Sequence, residues 1–177
     1  PFATALGRLY FAANDGVHGI ELWKTDGTEQ GTVMVKDINP TQFLGVYSDE
    51  RVTVGGQVLF SADDGVNGYE LWRSDGTENG TVMVKNIHPA TDESSFPTEL
   101  VELNGVLYFS ATDNASGNEL WRSDGTTAGT VIVKDITPGA FSSFPSSLRV
   151  SGDWLFFVAN DGANGNALWR SDGTTAG

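Results

Sequence analysis

ELWRSDGT, residues 119–126, stands in the same form at 70–77 and with small changes as ELWKTDGT at 21–28 and ALWRSDGT at 167–174. The tryptophans of the four copies, Trp23, Trp72, Trp121 and Trp169, stand 49, 49 and 48 positions apart. A fixed period of this size marks an array in which one supersecondary unit is repeated and buries its apolar face against its neighbours.

Working outward from the third copy, four short segments fill the unit: LVEL at 100–103, VLYFSA at 106–111, ELWRSD at 119–124 and TVIVKDI at 130–136. All are rich in β-branched and aromatic residues and are bounded by Gly, Asn, Asp or Pro, the pattern of strands, and no helical periodicity competes with it. Asn104-Gly105 joins the first two segments as a two-residue hairpin turn, since both positions tolerate positive φ. The loop DDGVNG at 63–68 shows the second connection and DGTTAG at 124–129 the third. Each unit is therefore an antiparallel four-stranded meander.

The second strands (LYFAA, VLFSA, LYFSA, LFFVA) are apolar on both faces, as expected of a strand sandwiched between neighbouring sheets. The fourth strands carry Lys36, Lys85 and Lys134 with Asp37 and Asp135, charges suited to an exposed outer edge. The expected fold is all-β: a β-propeller of four-stranded antiparallel blades with a period of about 49 residues. Residues 1–177 read as one repeat array with units near 1–40, 41–89, 90–138 and 139–177, the first strand being faint in the first unit and the last strand missing from the fourth. The opening at Pro1 without Met is expected of a processed protein or a piece of a longer one.

The repeated phrase reads first as structure. Asp26, Asp75, Asp124 and Asp172 can accept backbone N–H bonds within a turn for which Gly27, Gly76, Gly125 and Gly173 supply positive φ. The tryptophans fill the space between blades, their indole N–H finding a carbonyl, and the basic residues Lys24, Arg73, Arg122 and Arg170 are placed to pair with an acidic group of the next unit.

The spacing resembles that of the bacterial family called after its ELWxxDGT repeat, whose fuller pattern is met by residues 64–87 and 113–136. That resemblance implies a β-propeller-like module of large, often secreted or surface-located proteins, without a catalytic activity to carry over. Two positions depart from the pattern: Ala167 stands in place of Glu, and Asn86 in place of Asp.

Composition narrows the partners. The chain has 10 Lys+Arg against 23 Asp+Glu, a net charge of −13, which repels nucleic acid and anionic membrane surfaces. It has no Cys, hence no disulfide, thiolate metal site or Cys nucleophile, and no apolar run long enough to insert into a membrane. The expected location is extracellular or at the cell surface, and the expected partners are other protein chains or the rest of a longer chain.

The linkers between units are long and unlike one another, and alternation of strand direction puts them on one face with the second-to-third strand loops, where recognition is expected. Tyr47, Phe96 and Phe144 lie 24, 24 and 23 positions after the preceding Trp and read as equivalent, either anchoring the linker in the core or offering a platform for a sugar. Asp15, Asp64, Asp113 and Asp161 stand in oxygen-rich loops that could hold calcium, the one cofactor the sequence suggests, although none has the D-x-[DN]-x-[DN]-G spacing. The other reading is an Asx turn. His18 and His88 occupy unrelated places, match no catalytic or ligand spacing, and read as exposed loop residues. The resulting expectation is a non-enzymatic extracellular scaffold or interaction module, with a glycan-binding propeller as the alternative and a hydrolase third.

Overall fold

The computed structural model describes residues 2–41, 44–89 and 93–175, so Gln42, Phe43 and 90–92 of the linkers lie outside the described residues, as do Pro1, Ala176 and Gly177. Within them the chain is all-β, with no helix. The first sheet holds β1 (Ala3–Ala5), β2 (Arg8–Asn14), β3 (Ile20–Thr25) and β4 (Val33–Lys36). The second holds β5 (Val46–Val54), β6 (Gln57–Asp63), β7 (Tyr69–Ser74) and β8 (Val82–Lys85). The third holds β9 (Thr98–Leu103), β10 (Val106–Asp113), β11 (Gly117–Ser123) and β12 (Val131–Lys134). The fourth has three strands among the described residues: β13 (Ser146–Ser151), β14 (Trp154–Asn160) and β15 (Asn166–Ser171). Every sheet is an antiparallel meander in chain order.

Register is the same in all four sheets. Phe11, Phe60, Phe109 and Phe157 stand opposite Trp23, Trp72, Trp121 and Trp169. A β-bulge recurs one step further out: Leu22 faces Lys36 while Trp23 faces Met34, and the same shift separates Leu71 from Trp72 and Leu120 from Trp121. The extra residue on the outer strand, Val35, Val84 or Val133, is buried. A bulge here lets the outer strand turn an additional apolar side chain inward without slipping the whole ladder.

Successive side chains of a strand point to opposite faces, so the Leu and the Trp of each phrase serve different neighbours. Leu22, Val35 and Ile38 of the first sheet pack with Val58, Phe60, Ala62 and Trp72 of the second. Leu71, Val84 and Ile87 of the second meet Leu107, Phe109, Ala111 and Trp121 of the third, and Leu120, Val133 and Ile136 of the third meet Leu155, Phe157, Ala159 and Trp169 of the fourth. Each sheet thus beds a Trp-bearing face on the Leu-bearing face of the sheet before it. The first strands β1, β5, β9 and β13 touch one another in turn, and the sheets fan out from them. Three apolar clusters join consecutive sheets, and among the described residues none joins the fourth to the first.

Polar groups expected elsewhere serve the same interfaces. Lys36 and Lys85 are not solvated edge charges: their Nζ atoms donate to the carbonyls of Thr81 (2.9 Å) and Thr130 (2.7 Å) in the next sheet and lie 5.8 and 5.6 Å from the ring centres of Trp72 and Trp121. An ammonium can satisfy a carbonyl and a π-face together, which an outward position would forgo. The basic residue after Trp seeks a carbonyl rather than a carboxylate. Lys24 donates to Gly76 O at 2.7 Å and Arg122 to Gly173 O at 3.2 Å, while Arg73 reaches Gln57 within its own sheet. Among the repeat tryptophans, Trp169 donates its indole N–H to Ala159 O at 3.1 Å, while those of Trp23, Trp72 and Trp121 have no partner among the described residues.

The turn after Trp matches its sequence reading. In every copy the Asp Oδ1 accepts from the Thr two residues on, through its N–H at 2.8–3.0 Å and its hydroxyl at 2.7 Å. A Cβ at Gly31, Gly80 or Gly129 would collide with that carboxylate, so the later glycine is required for space. These bonds hold the four carboxyls below the usual carboxylate range.

Trp121 lies buried in the middle cluster. Truncation of Trp121 to Ala is expected to lower stability by about 3–5 kcal/mol, as for other large core deletions. Denaturant unfolding of the variant measures this, and an unchanged midpoint would remove the packing role.

Candidate functional site

The glutamate that opens the phrase has a role that its polarity concealed. Glu21, Glu70 and Glu119 are fully buried. Glu70 accepts from the backbone N–H of Ile87 (2.9 Å) and His88 (3.1 Å) and from the Ser95 hydroxyl (2.6 Å). Glu119 accepts from Ile136 N (3.2 Å), Thr137 N (3.4 Å), Ser143 N (3.1 Å) and Ser143 Oγ (2.5 Å). One buried carboxylate therefore ties both ends of a linker to the sheet, replacing the backbone partners that an irregular segment lacks. His88, expected to be exposed, is buried because its backbone N–H is part of this clamp. Ala167 takes the glutamate's place in the fourth sheet; it is exposed.

The first clamp is incomplete. Equivalent backbone bonds, Gly45 N to Ile20 O (3.1 Å), Ser95 N to Tyr69 O (3.0 Å) and Ser143 N to Asn118 O (3.0 Å), place Gly45 where the other linkers have serine. A Cβ at Gly45 would overlap the Glu21 carboxylate, and with no hydroxyl donor Glu21 Oε2 has no partner among the described residues. Burial raises all three carboxyls; Glu21, with fewer donors and with Asp37 nearby, is pushed up to about 7.

The same bonds correct the aromatic alignment. The residues after the clamp position are Val46, Phe96 and Phe144, so Tyr47 is one step out of register, and Val46 is the one that enters the core. A count from Trp could not show this, because the clamp position lies 22 residues after Trp in the first and third units and 23 in the second. Nor do the other aromatics anchor the core: Tyr47, Phe96 and Phe144 are 41%, 47% and 67% exposed. Phe96 and Phe144 have φ of 45° and 50°, a region that non-glycine residues seldom adopt, and their N–H groups donate to Tyr69 O (3.2 Å) and Asn118 O (3.3 Å). The clamp thus forces these rings outward.

Tyr47 and Phe96 nevertheless meet. With Tyr69, which the sequence did not single out, they form a cluster whose ring centres lie 4.8, 5.6 and 6.1 Å apart. Phe144 lies apart from it. With Phe141, Thr137, Ala140, Ser142, Asn160 and Gly162 it lines a groove of about 520 Å³. Thr137 donates to Asn160 O at 2.7 Å, fixing the linker against the loop of the next sheet.

The four loop aspartates serve their own turns. Asp15, Asp64, Asp113 and Asp161 each accept two successive backbone N–H groups through Oδ1 at 2.6–3.0 Å. The Oδ2 atoms of Asp64 and Asp161 accept from Asn67 and Asn164, and that of Asp15 pairs with His18 Nδ1 at 2.6 Å. Such bonds lower the carboxyl of Asp161 to about 2 and hold Asp15 well below its usual range. Among the described residues no three His, Cys, Asp or Glu side chains converge as a metal site.

No family model and no curated protein matches the sequence. Solved structures do match the fold. A puromycin hydrolase is similar with a TM-score of 0.61 and 16% identity, over 98% of this chain and 27% of its own. Its S511A mutant complexed with PGG gives 0.56 and 16%, over 92% and 25%, and a prolyl endopeptidase structure gives 0.51 and 13%, over 93% and 25%. The chain spans about a quarter of the length of these proteins. The likeness runs against the expected function: the similar structures are a puromycin hydrolase and a prolyl endopeptidase, not the surface scaffold or lectin-like propeller that the repeat suggested. The reason lies in what the repeat encodes. Its residues are used up in packing and clamping, so they describe the framework and are silent about the work done on it.

The clamps differ in a measurable way. The folded state keeps a proton on Glu21 up to about pH 7, whereas the unfolded chain releases it near 4.5, so ionising this group costs stability as pH rises across that interval. Melting of the wild type is expected to fall relative to Glu21→Gln between about pH 5 and about pH 8. Glu119→Gln should instead destabilise by about 1–3 kcal/mol, since an amide N–H₂ would face N–H and O–H donors. Thermal melts of the two variants check both signs.

Proposed function

We propose that this chain is a β-propeller segment of a hydrolase acting on peptide or related amide bonds, in which the linker face receives the substrate and the bond-breaking groups come from outside the described blades. The observation that carries this reading is the linker face itself. Buried glutamates hold irregular segments rigidly enough to keep Phe96 and Phe144 turned out to solvent, where they border the Tyr47–Tyr69–Phe96 cluster and the groove beside Phe141.

Exposed aromatic rings beside backbone amides suit a substrate with apolar or ring-bearing side chains and a peptide-like backbone. The net charge of −13 favours one that carries an amino group. The likeness to a puromycin hydrolase and a prolyl endopeptidase over more than nine-tenths of the chain supports the propeller and the substrate class together. His18 is committed to Asp15, and His88 lies buried beside the linker clamp, so neither is offered to a substrate as a general base.

Puromycin and blocked prolyl peptides are the probes. Calorimetric titration is expected to show binding of at least one, weakened about tenfold or more by Phe144→Ala or Phe96→Ala, a loss of roughly 1.4 kcal/mol or more. Incubation with the chain alone should release no product. Absence of binding to the folded protein overturns the substrate face, and turnover by the chain alone overturns the external origin of the catalytic groups.

A further inference from the structure

Another groove lies on the first strands of the sheets. About 280 Å³ in volume, it is bordered by Glu50, Arg51, Glu99 and Arg149 over the apolar Val52 and Val101. Register shows which of these residues are unusual for their place. Val52, Val101 and Arg149 stand opposite Leu59, Tyr108 and Phe156, the residues just before the phenylalanines of the Phe–Trp pairs. One step back along each first strand are Arg51, Leu100 and Leu148, and one further back Glu50, Glu99 and Ser147. Leu100 and Leu148 are buried in the second and third apolar clusters, and Arg51, at the same position, is only 5% exposed. A guanidinium in a leucine's place carries a desolvation cost that leucine avoids. Packing therefore does not call for Arg51, and the groove it borders gives it another use.

The charges around that groove are positioned by the fold. Glu50 accepts from Leu100 N at 3.4 Å and Glu99 from Leu148 N at 3.1 Å, each reaching the first strand of the next sheet. Arg149 Nη1 donates to Leu148 O at 2.7 Å. In a chain with 10 Lys+Arg and a net charge of −13, two of the cations meet at one groove and face two carboxylates across an apolar floor. An ion of one sign would be attracted by one pair and repelled by the other, so the complementary ligand carries both signs.

We infer that this groove binds a small zwitterion, an amino acid or dipeptide with both termini free. Its carboxylate meets Arg51 and Arg149, its ammonium meets Glu99, and its side chain lies on Val52 and Val101. Arg51 already has an interaction within the chain, and a guanidinium, with five N–H donors in a planar fork, holds such a neighbour and a ligand carboxylate together. A carboxylate has two acceptor oxygens, so Glu99 keeps Leu148 while taking an ammonium. The volume is just under the about 300 Å³ at which ligand pockets begin, which limits the occupant to a molecule of this size. Hydrolysis of a peptide releases molecules of this class, so within the proposed function the groove is placed to hold a product; the binding itself does not rest on that reading.

Titration calorimetry with glycyl-leucine, its N-acetyl form and its amide tests the inference. The wild type is expected to bind glycyl-leucine saturably and each blocked form about tenfold more weakly or less. Arg51→Leu installs the residue of the other two sheets, so it should fold and melt at or above the wild type, yet bind the free peptide no better than its amide. Arg149→Val installs the residue that Val52 and Val101 provide elsewhere; being exposed, it carries the same test if Arg51→Leu does not fold. Glu99→Gln should erase the preference for the free amine. Blocked prolyl peptides, the probes of the linker face, should bind Arg51→Leu as they bind the wild type, so the two sites fail or stand separately. A wild type that does not bind glycyl-leucine, or binds its amide equally, overturns the inference, as does a preference for the free carboxylate that survives both arginine substitutions.

Discussion

A β-sheet with apolar residues on both faces is unstable alone, and everything in this chain follows from how that constraint is met. Each sheet offers a row of Phe, Ala and Trp on one side and a row of Leu and Val on the other, so each needs two neighbours. The rows are complementary rather than identical, which gives the stack a direction. The recurring bulge adds a buried valine to the Leu side, and the lysines of the outer strands close the seam over the tryptophans. Because the demand repeats, the sequence repeats.

Stacking alone would leave the linkers loose, since they cross from the outer strand of one sheet to the inner strand of the next with their backbone groups unpaired. The buried glutamate supplies the acceptors. Its cost in desolvation shows in the raised carboxyls, and its return is a linker held at both ends by one side chain. Rigidity there permits the positive φ of Phe96 and Phe144, and with it a face of outward aromatic rings that the core did not require. The framework and the candidate site are thus joined through a residue that belongs to the repeated phrase.

Much of this was legible in the residues themselves. The strand pattern, the hairpin at Asn104-Gly105, the Asp-Gly-Thr turn and the meander order all depend on contacts within about thirty positions, where spacing is a reliable guide to geometry. Tyr47 shows where spacing stops being one. Counted from Trp it belongs with Phe96 and Phe144, yet the backbone bonds put Val46 in their place, because the spacing from Trp to the clamp varies by one residue between units. Lys36 and Lys85 of the outer strands show the same limit, whereas Lys134 is exposed as expected. As charges the first two read as solvent-facing, but the nearest carbonyls and rings belong to another sheet some 45 positions away, as with Lys36 and Thr81.

By itself the sequence determined an all-β array of meanders and the turn that closes each one, since period, alternation and turn chemistry are properties of neighbouring residues. Tertiary structure decided what the glutamates and lysines do and which aromatics face out. Those outcomes depend on groups brought together from different sheets, and partners at that range leave no periodic mark in the chain that carries them.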